Sequence, residues 1–221
     1  MHKQKGRVIN YSKSSFIPRP EQVLITNVCR NVCFDKNYYE DAPDMLTSDG
    51  YQIGFGRYTT HLPEECRFFT KQRDYGLSFL QANIIGPKYL NFPRHSDLIK
   101  ELESGKYSVL GISAYTWSLP WAMRISKLAK EKYGINEVWL GGYAVMTDEP
   151  SIPRYFDRAF WGYSESDLNE AIGKSPIAVE DIIHPDLISE AHFLGKISYI
   201  GHIISRRGCH NKCNYCADPV F

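Results

Sequence analysis

The chain has 221 residues, 43% of them hydrophobic and 23% charged, with a formal net charge of +1. That length supports one full domain plus a fragment, or two small domains, and the near-neutral balance gives no electrostatic reason to bind nucleic acid or an acidic membrane surface. No apolar run approaches the roughly 18 residues of a membrane span. The basic start, Met1 to Arg7, is not followed by the apolar stretch of an export signal. The six cysteines are therefore expected in a reducing cytoplasm, where clustered thiols favour metal binding or catalysis over disulfides.

Residues 1–21 are polar and read as a flexible terminus. Val23-Leu-Ile-Thr-Asn-Val28 is β-branched and reads as a short buried strand. Residues 29–73, rich in Asp, Gly, Pro and Tyr, read as a long, partly ordered insertion, a length of loop that is unusual without a function. Leu77, Leu80, Ile84 and Ile85 have helical spacing, and Gly86-Pro87 ends that helix. A second strand is expected at Lys88–Phe92, then a helix capped by Ser96, with Leu98, Ile99 and Leu102 inward and Gly105 as its stop. Tyr107–Ser113 is an apolar strand, followed by a helix from about Leu119 to Tyr133 that stops at Gly134. Glu137–Leu140 reads as a buried strand running into Gly141-Gly142, Arg158–Trp161 as another, and Ser166 opens a last helix.

Apolar strands alternating with helices over short loops imply a parallel sheet covered on both faces. With right-handed crossovers the expectation is an α/β, doubly wound, Rossmann-like domain over residues 22–174. Residues 175–198 contain Pro176 and Pro185 and read as a linker, and Ile200–Ser205 as the first strand of a further domain over 199–221.

The most specific signal lies in that last stretch: Ser205-Arg-Arg-Gly208, then Cys209-His-Asn-Lys-Cys213-Asn-Tyr-Cys216. Closely spaced thiols on one loop can reach several irons of one iron–sulfur cube. Three ligands leave one iron open to an external chelator, and Arg206, Arg207 and Lys212 favour thiolate and an anionic cluster. Two other readings stand beside this one. Structural zinc wants four ligands, and His210 adjoins Cys209 too directly for easy joint chelation; the thiols could also carry no metal.

The motif, following an apolar strand and with an aromatic just before the third cysteine, resembles the signature of radical S-adenosylmethionine (radical SAM) enzymes. The resemblance implies a four-iron four-sulfur (4Fe-4S) cluster on Cys209, Cys213 and Cys216. It also implies S-adenosylmethionine chelated at the open iron with its adenine near Tyr215, and reductive cleavage to a 5′-deoxyadenosyl radical. A reductant such as flavodoxin or ferredoxin is implied as a partner. In that superfamily one class carries a cobalamin-binding, Rossmann-like domain ahead of the catalytic barrel. Leu110-Gly-Ile-Ser113, Trp139-Leu-Gly-Gly142 and Trp161-Gly-Tyr-Ser-Glu165 are similar to that domain's pattern in order and separation. Ser113, Gly141 and Gly142 fall at the carboxyl ends of expected parallel strands, where doubly wound sheets bind ligands, and the hydroxyls of Ser113 and Thr116 offer hydrogen bonds. The plainer reading makes Gly141-Gly142 a tight turn and Ser113 a helix cap. The Asp-x-His-x-x-Gly stretch that supplies a cobalt-ligating histidine elsewhere is missing after the first strand. Glu190-Ala-His192-Phe-Leu-Gly195 imitates it only within the linker, so cobalamin is expected without a protein histidine on cobalt.

Weaker candidates are Cys29-x3-Cys33 with Cys66 as a second metal site, Gly54-Phe-Gly56 as a dinucleotide loop lacking its third glycine, and the aromatics Tyr115, Trp117 and Trp121 at the pocket rim. His61 and His95 read as structural. A full barrel takes roughly 250 residues, and the sequence given runs five residues past Cys216. The expectation is the front portion of a cobalamin-type radical SAM enzyme, for methyl transfer or ring or carbon-skeleton modification, completed by a second polypeptide. The alternative is a non-catalytic Rossmann-like module that binds cobalamin or another small ligand and carries an exposed cysteine tail.

Overall fold

The structure, a computed structural model, describes residues 7–28, 52–55, 69–72, 74–93, 95–193 and 196–205. Six strands form the main sheet: β1 (Arg7–Asn10), β2 (Val23–Asn27), β5 (Lys88–Leu90), β6 (Val109–Ser113), β7 (Glu137–Gly141) and β8 (Arg158–Trp161), in the order β1-β8-β7-β6-β2-β5. The five from β2 onward run parallel, and β1 closes the β8 edge antiparallel. Between the parallel strands lie α1 (Tyr75–Asn83), α2 (His95–Glu103), α3 (Leu119–Tyr133) and the single turn α4 (Ile152–Tyr155), with α5 (Glu165–Ala171) after β8.

Period-two alternation along the strands sorts the core into two layers. Leu24, Leu110, Ile112, Val138, Leu140 and Ala159 face one side and pack against Leu98 and Leu102 of α2, Ile125 and Ala129 of α3, and Ile152 of α4. Val23, Ile25, Val109, Trp139 and Phe160 face the other and pack against Leu77 of α1 and Leu168 and Ile172 of α5. This is an α/β sheet wound on both faces, as expected. Counting only the parallel strands, its order is 2-1-3-4-5, so the winding reverses between β2 and β6.

Most boundaries fall where the sequence places them. Helix α3 keeps its expected limits because Pro120 suits a first turn and Gly134 takes the left-handed conformation, φ 66°, as its stop. Ile85 instead lies 79% exposed beyond the end of α1, and α2 starts at His95, one residue ahead of the expected Ser96 cap.

A second sheet, antiparallel and in the order β10-β9-β4-β3, joins β3 (Gln52–Phe55) and β4 (Phe69–Gln72) to β9 (Leu187–Phe193) and β10 (Lys196–His202). The stretch read as a linker therefore contains β9. The strand expected at Ile200–Ser205 starts earlier, at Lys196, and pairs antiparallel with β9. On β9 the inward residues are Leu187, Ser189 and Ala191 while Ile188 is 55% exposed, a pattern that hides the strand from a hydrophobicity reading. The first 21 residues likewise contain β1 rather than only a loose terminus, a four-residue edge strand too short to announce itself.

Candidate functional site

A winding reversal leaves a crevice outside the carboxyl ends of the strands beside it. In β2 and β6 those ends are Asn27 and Ser113, which pair in register, and Ser113 pairs in turn with Gly141 of β7. A cavity of ≈ 390 Å³ opens at this edge, on the α1/α5 side of the sheet. Of the residues expected from sequence, Ser113, Gly141 and Gly142 line it together; Thr116 does not, and lies exposed in the turn after β6.

The glycines account for the room. Gly111 occupies the middle of β6 on the face where Ile25, Trp139 and Phe160 stand, so the cavity reaches down to their side chains. A Cβ on Gly141 would meet nothing within 4 Å. Gly142 holds φ 77° and ψ −172°, and a Cβ there would come 2.6 Å from the carbonyl oxygen of Ala114. That contact is tight because the ends of β6 and β7 interlock: the Ala114 N–H donates to Gly141 O at 3.0 Å and the Ala144 N–H to Ala114 O at 2.9 Å.

Trp139 forms part of the floor, only 1% exposed. Its indole N–H donates to Glu137 Oε2 at 2.7 Å, and Glu137 is paired with Arg158 at 3.1 Å. Arg158 also donates to Phe16 O at 2.7 Å, which ties this buried ion pair to the N-terminal segment. The walls add Phe79 from α1, Phe92 beyond β5, and Tyr163 and Ser164 ahead of α5. Phe92 is the one described non-glycine residue with positive φ, 43°, and its N–H donates to Asn27 Oδ1 at 2.6 Å. A strained residue held in place by a side-chain hydrogen bond is a feature that concentrates at ligand sites. Tyr115 and Tyr143 line the cavity and stack at 5.9 Å; Trp117, outside the lining, stacks on Tyr115 at 5.7 Å, the planes of each pair within 15°. Trp121 is not in the lining; its ring carries the Arg124 guanidinium at 4.6 Å.

Two carboxylates complete the lining, Asp74 and Glu165, both buried. Asp74 is the N-cap of α1, its Oδ1 accepting from Leu77 N–H at 2.9 Å, while its own N–H donates to Asn91 Oδ1 at 3.0 Å. Burial pushes its carboxyl above the ordinary value, opposed by hydrogen bonds from the Leu77 N–H, the Asn27 side chain and the Gly76 N–H. The Tyr115 hydroxyl is pushed up to about 12 by burial and by the Asp74 charge.

The folded protein thus holds the Asp74 proton more tightly than the unfolded chain does. Its contribution to stability is present at low pH and is lost as pH rises from about 4, the ordinary carboxylate value, through the raised folded value. Asp74→Asn keeps a capping acceptor but does not titrate. In thermal melts from about pH 4 to about pH 7, the stability of Asp74→Asn relative to wild type should rise with pH; a constant difference would refute this assignment.

Sequence reasoning missed Asp74, Phe92 and Phe160. It found Gly162 to Glu165 only as part of a resembling segment, and all four of those residues line the cavity. All six cysteines, Tyr215, His61 and Gly56 lie outside the described residues, so neither the three-thiol loop nor the Cys29/Cys33/Cys66 set has a described geometry. Gly54 sits in β3, paired with Thr70. His95 opens α2 and is not in the cavity lining. Among the described residues no group of three metal-capable side chains converges, and no helix is long and apolar enough to cross a membrane. No family model matches the chain, and no curated protein or solved structure is significantly similar to it.

Proposed function

We propose that this chain is the cofactor-binding front portion of a cobalamin-type radical SAM enzyme working in the reducing cytoplasm. In this reading cobalamin sits at the carboxyl edge of the doubly wound sheet, and Cys209, Cys213 and Cys216 hold a 4Fe-4S cluster that binds S-adenosylmethionine. One observation carries the reading: Ile204, five residues before Cys209, lines the same cavity as Ser113, Gly141 and Gly142. At no more than about 3.6 Å per residue, the first thiol is tethered within roughly 18 Å of that cavity. That tether puts a cluster on the downstream loop within reach of a ligand seated there, which supports the reading.

The lining fits part of cobalamin. A cavity of ≈ 390 Å³ lies near the lower end of ligand pockets, about 300–1,000 Å³. It is too small for a corrin macrocycle and large enough for a base-sized appendage. The macrocycle would lie across the mouth, where the Trp117–Tyr115–Tyr143 stack offers flat aromatic surface. When bound, the cluster supplies one-electron reduction of S-adenosylmethionine and cobalamin supplies a cobalt centre that carries a group. The chain's own part is to seat these molecules: Gly141 and Gly142 admit them close to the backbone, Ser113 offers a hydroxyl, and the buried Trp139–Phe160 floor excludes water. A flavodoxin or ferredoxin supplies electrons, and the reaction is methyl transfer or ring or carbon-skeleton modification.

A second reading shares the cavity and departs at the cysteines. Among the described residues the cavity is lined from Ile25 to Ile204, and a small-ligand-binding module would need no more than that edge. The two are separated by anaerobic reconstitution with iron and sulfide, followed by gel filtration with hydroxocobalamin. The enzyme reading expects iron–sulfur absorption, a spectral change on adding S-adenosylmethionine, and co-eluting cobalamin. Cobalamin without iron–sulfur absorption supports the module, and absence of both rejects the enzyme reading.

A further inference from the structure

Resting on the reading that the edge cavity is a ligand site, we propose that it selects a flat aromatic group with a cationic or N–H-donating edge, that it rejects anions, and that Asp74 is the residue that reads that edge.

The walls set the shape. Phe79, Phe92, Trp139 and Phe160 present ring surface, and Trp139 and Phe160 stand 5.4 Å apart at 51° to each other. Such rings gain most from a flat partner, and their electron-rich faces attract positive charge.

The charges set the sign. Among the described residues, the ionisable lining groups other than tyrosine are both acids, Asp74 and Glu165, and no lysine, arginine or histidine lines the cavity. Arg158, over the Trp139 ring at 5.3 Å, is matched by Glu137. Two histidines stand behind the wall rather than in it. His202 packs on Tyr75 at 5.4 Å and bonds Ser189 Oγ at 2.9 Å, and His184 packs edge-on to Phe79 at 5.2 Å. The amino end of α1 would ordinarily draw an anion, but the Asp74 carboxylate already occupies it as the cap. A phosphate or carboxylate entering here would meet like charge in a poorly hydrated space, where that repulsion is strongest.

A carboxylate offers about four lone-pair positions. Leu77, Gly76 and Asn27 already supply hydrogen bonds to Asp74, which leaves it about one position for a ligand donor. Capped on Leu77 and only 6% exposed, the carboxylate is fixed in direction. A charge-assisted hydrogen bond from an amidinium or a protonated ring nitrogen is roughly twice as strong as a neutral one.

The test uses three probes of nearly one shape on the full-length protein: benzamidine, benzamide and benzoate, each titrated by saturation-transfer NMR at neutral pH. Wild type should rank benzamidine first, benzamide second and benzoate last, with about tenfold between the extremes, equivalent to roughly 1.4 kcal/mol. Asp74→Asn should bring the extremes within about twofold while leaving the aromatic probe resonances in contact with the protein. Gly141→Leu, whose added side chain starts in open space, should remove binding of all three and serves as the control if Asp74→Asn fails to fold. Benzoate equal to or tighter than benzamidine, equal binding of all three, no binding of any, or an unchanged ranking in Asp74→Asn would each overturn the proposal. Cobalamin co-elution is measured separately, so loss of the charge ranking with cobalamin retained refutes this inference alone. The ranking without cobalamin refutes only the cofactor assignment.

Discussion

Serine at Cys213 should leave the anaerobically reconstituted protein without iron–sulfur absorption, and serine at Cys209 or Cys216 should do the same. In the proposed reading a cube is held at three irons by three thiolates and its remaining iron is left for S-adenosylmethionine, so the motif has no fourth thiolate in reserve. A hydroxyl is a far poorer ligand for iron than a thiolate, so each single substitution is expected to lower bound iron nearly to background rather than by a third. The doubly wound sheet should be indifferent: among the described residues, the buried members of its two core layers all fall between Val23 and Ile172. Circular dichroism and the melting temperature of the iron-free variants should therefore match those of iron-free wild type. Iron retained in any one variant would break the three-ligand assignment. A large loss of stability in all three would place the thiols in the fold instead of in a cluster.

Gly142→Ala should destabilise the protein by about 2–4 kcal/mol, a fall of roughly 5–12 °C in melting temperature for a domain of this size. Two costs add. The backbone at φ 77°, ψ −172° lies in a region essentially reserved for glycine. The new methyl would also stand 2.6 Å from Ala114 O, an oxygen held in place by the Ala144 N–H. Relief requires parting the ends of β6 and β7, which would also widen the cavity mouth between Ser113 and Tyr143. Gly141→Ala is the matched control. Its Cβ meets nothing within 4 Å, so its cost should stay within about 0.5–1 kcal/mol. Equal losses in the two variants would show that the interlock between the strand ends is not what demands glycine at 142.

The adjacent glycines also show how far the sequence could be read. Their position at a strand end, next to an expected turn, is enough to put them at the carboxyl edge where the cavity opens, and Ser113 follows from the same rule. Strands β2, β6, β7 and β8 were visible because each is a short run of buried apolar residues. Helix α3 was visible because its inward positions recur at helical spacing between a proline and a left-handed glycine. Strands β3, β4 and β9 were not. Glycine interrupts β3, and β9 turns Ser189 inward and Ile188 outward, an order that only its pairing partners explain. Asp74, Phe92 and Glu165 belong to three separate segments, each unremarkable alone; they become a site only when the winding of the sheet brings them to one edge. Thr116 stays out of the lining for the converse reason. It sits close in sequence to Ser113, but the turn after β6 carries it out to solvent.

The small antiparallel sheet draws half of its strands from the crossover between β2 and α1 and half from residues 187–202. During synthesis at about 5–20 residues per second, β4 emerges well before its partner β9, and until then it has only β3 beside it. Pairing across more than a hundred residues of intervening chain is the slow kind, because loop closure must be met before contacts reward it. Ile204, the cavity wall nearest the cysteine loop, follows directly on this late sheet. The cavity is thus shaped early by the parallel core and receives its Ile204 side last, an order of assembly that leaves it open on that side until β10 has paired.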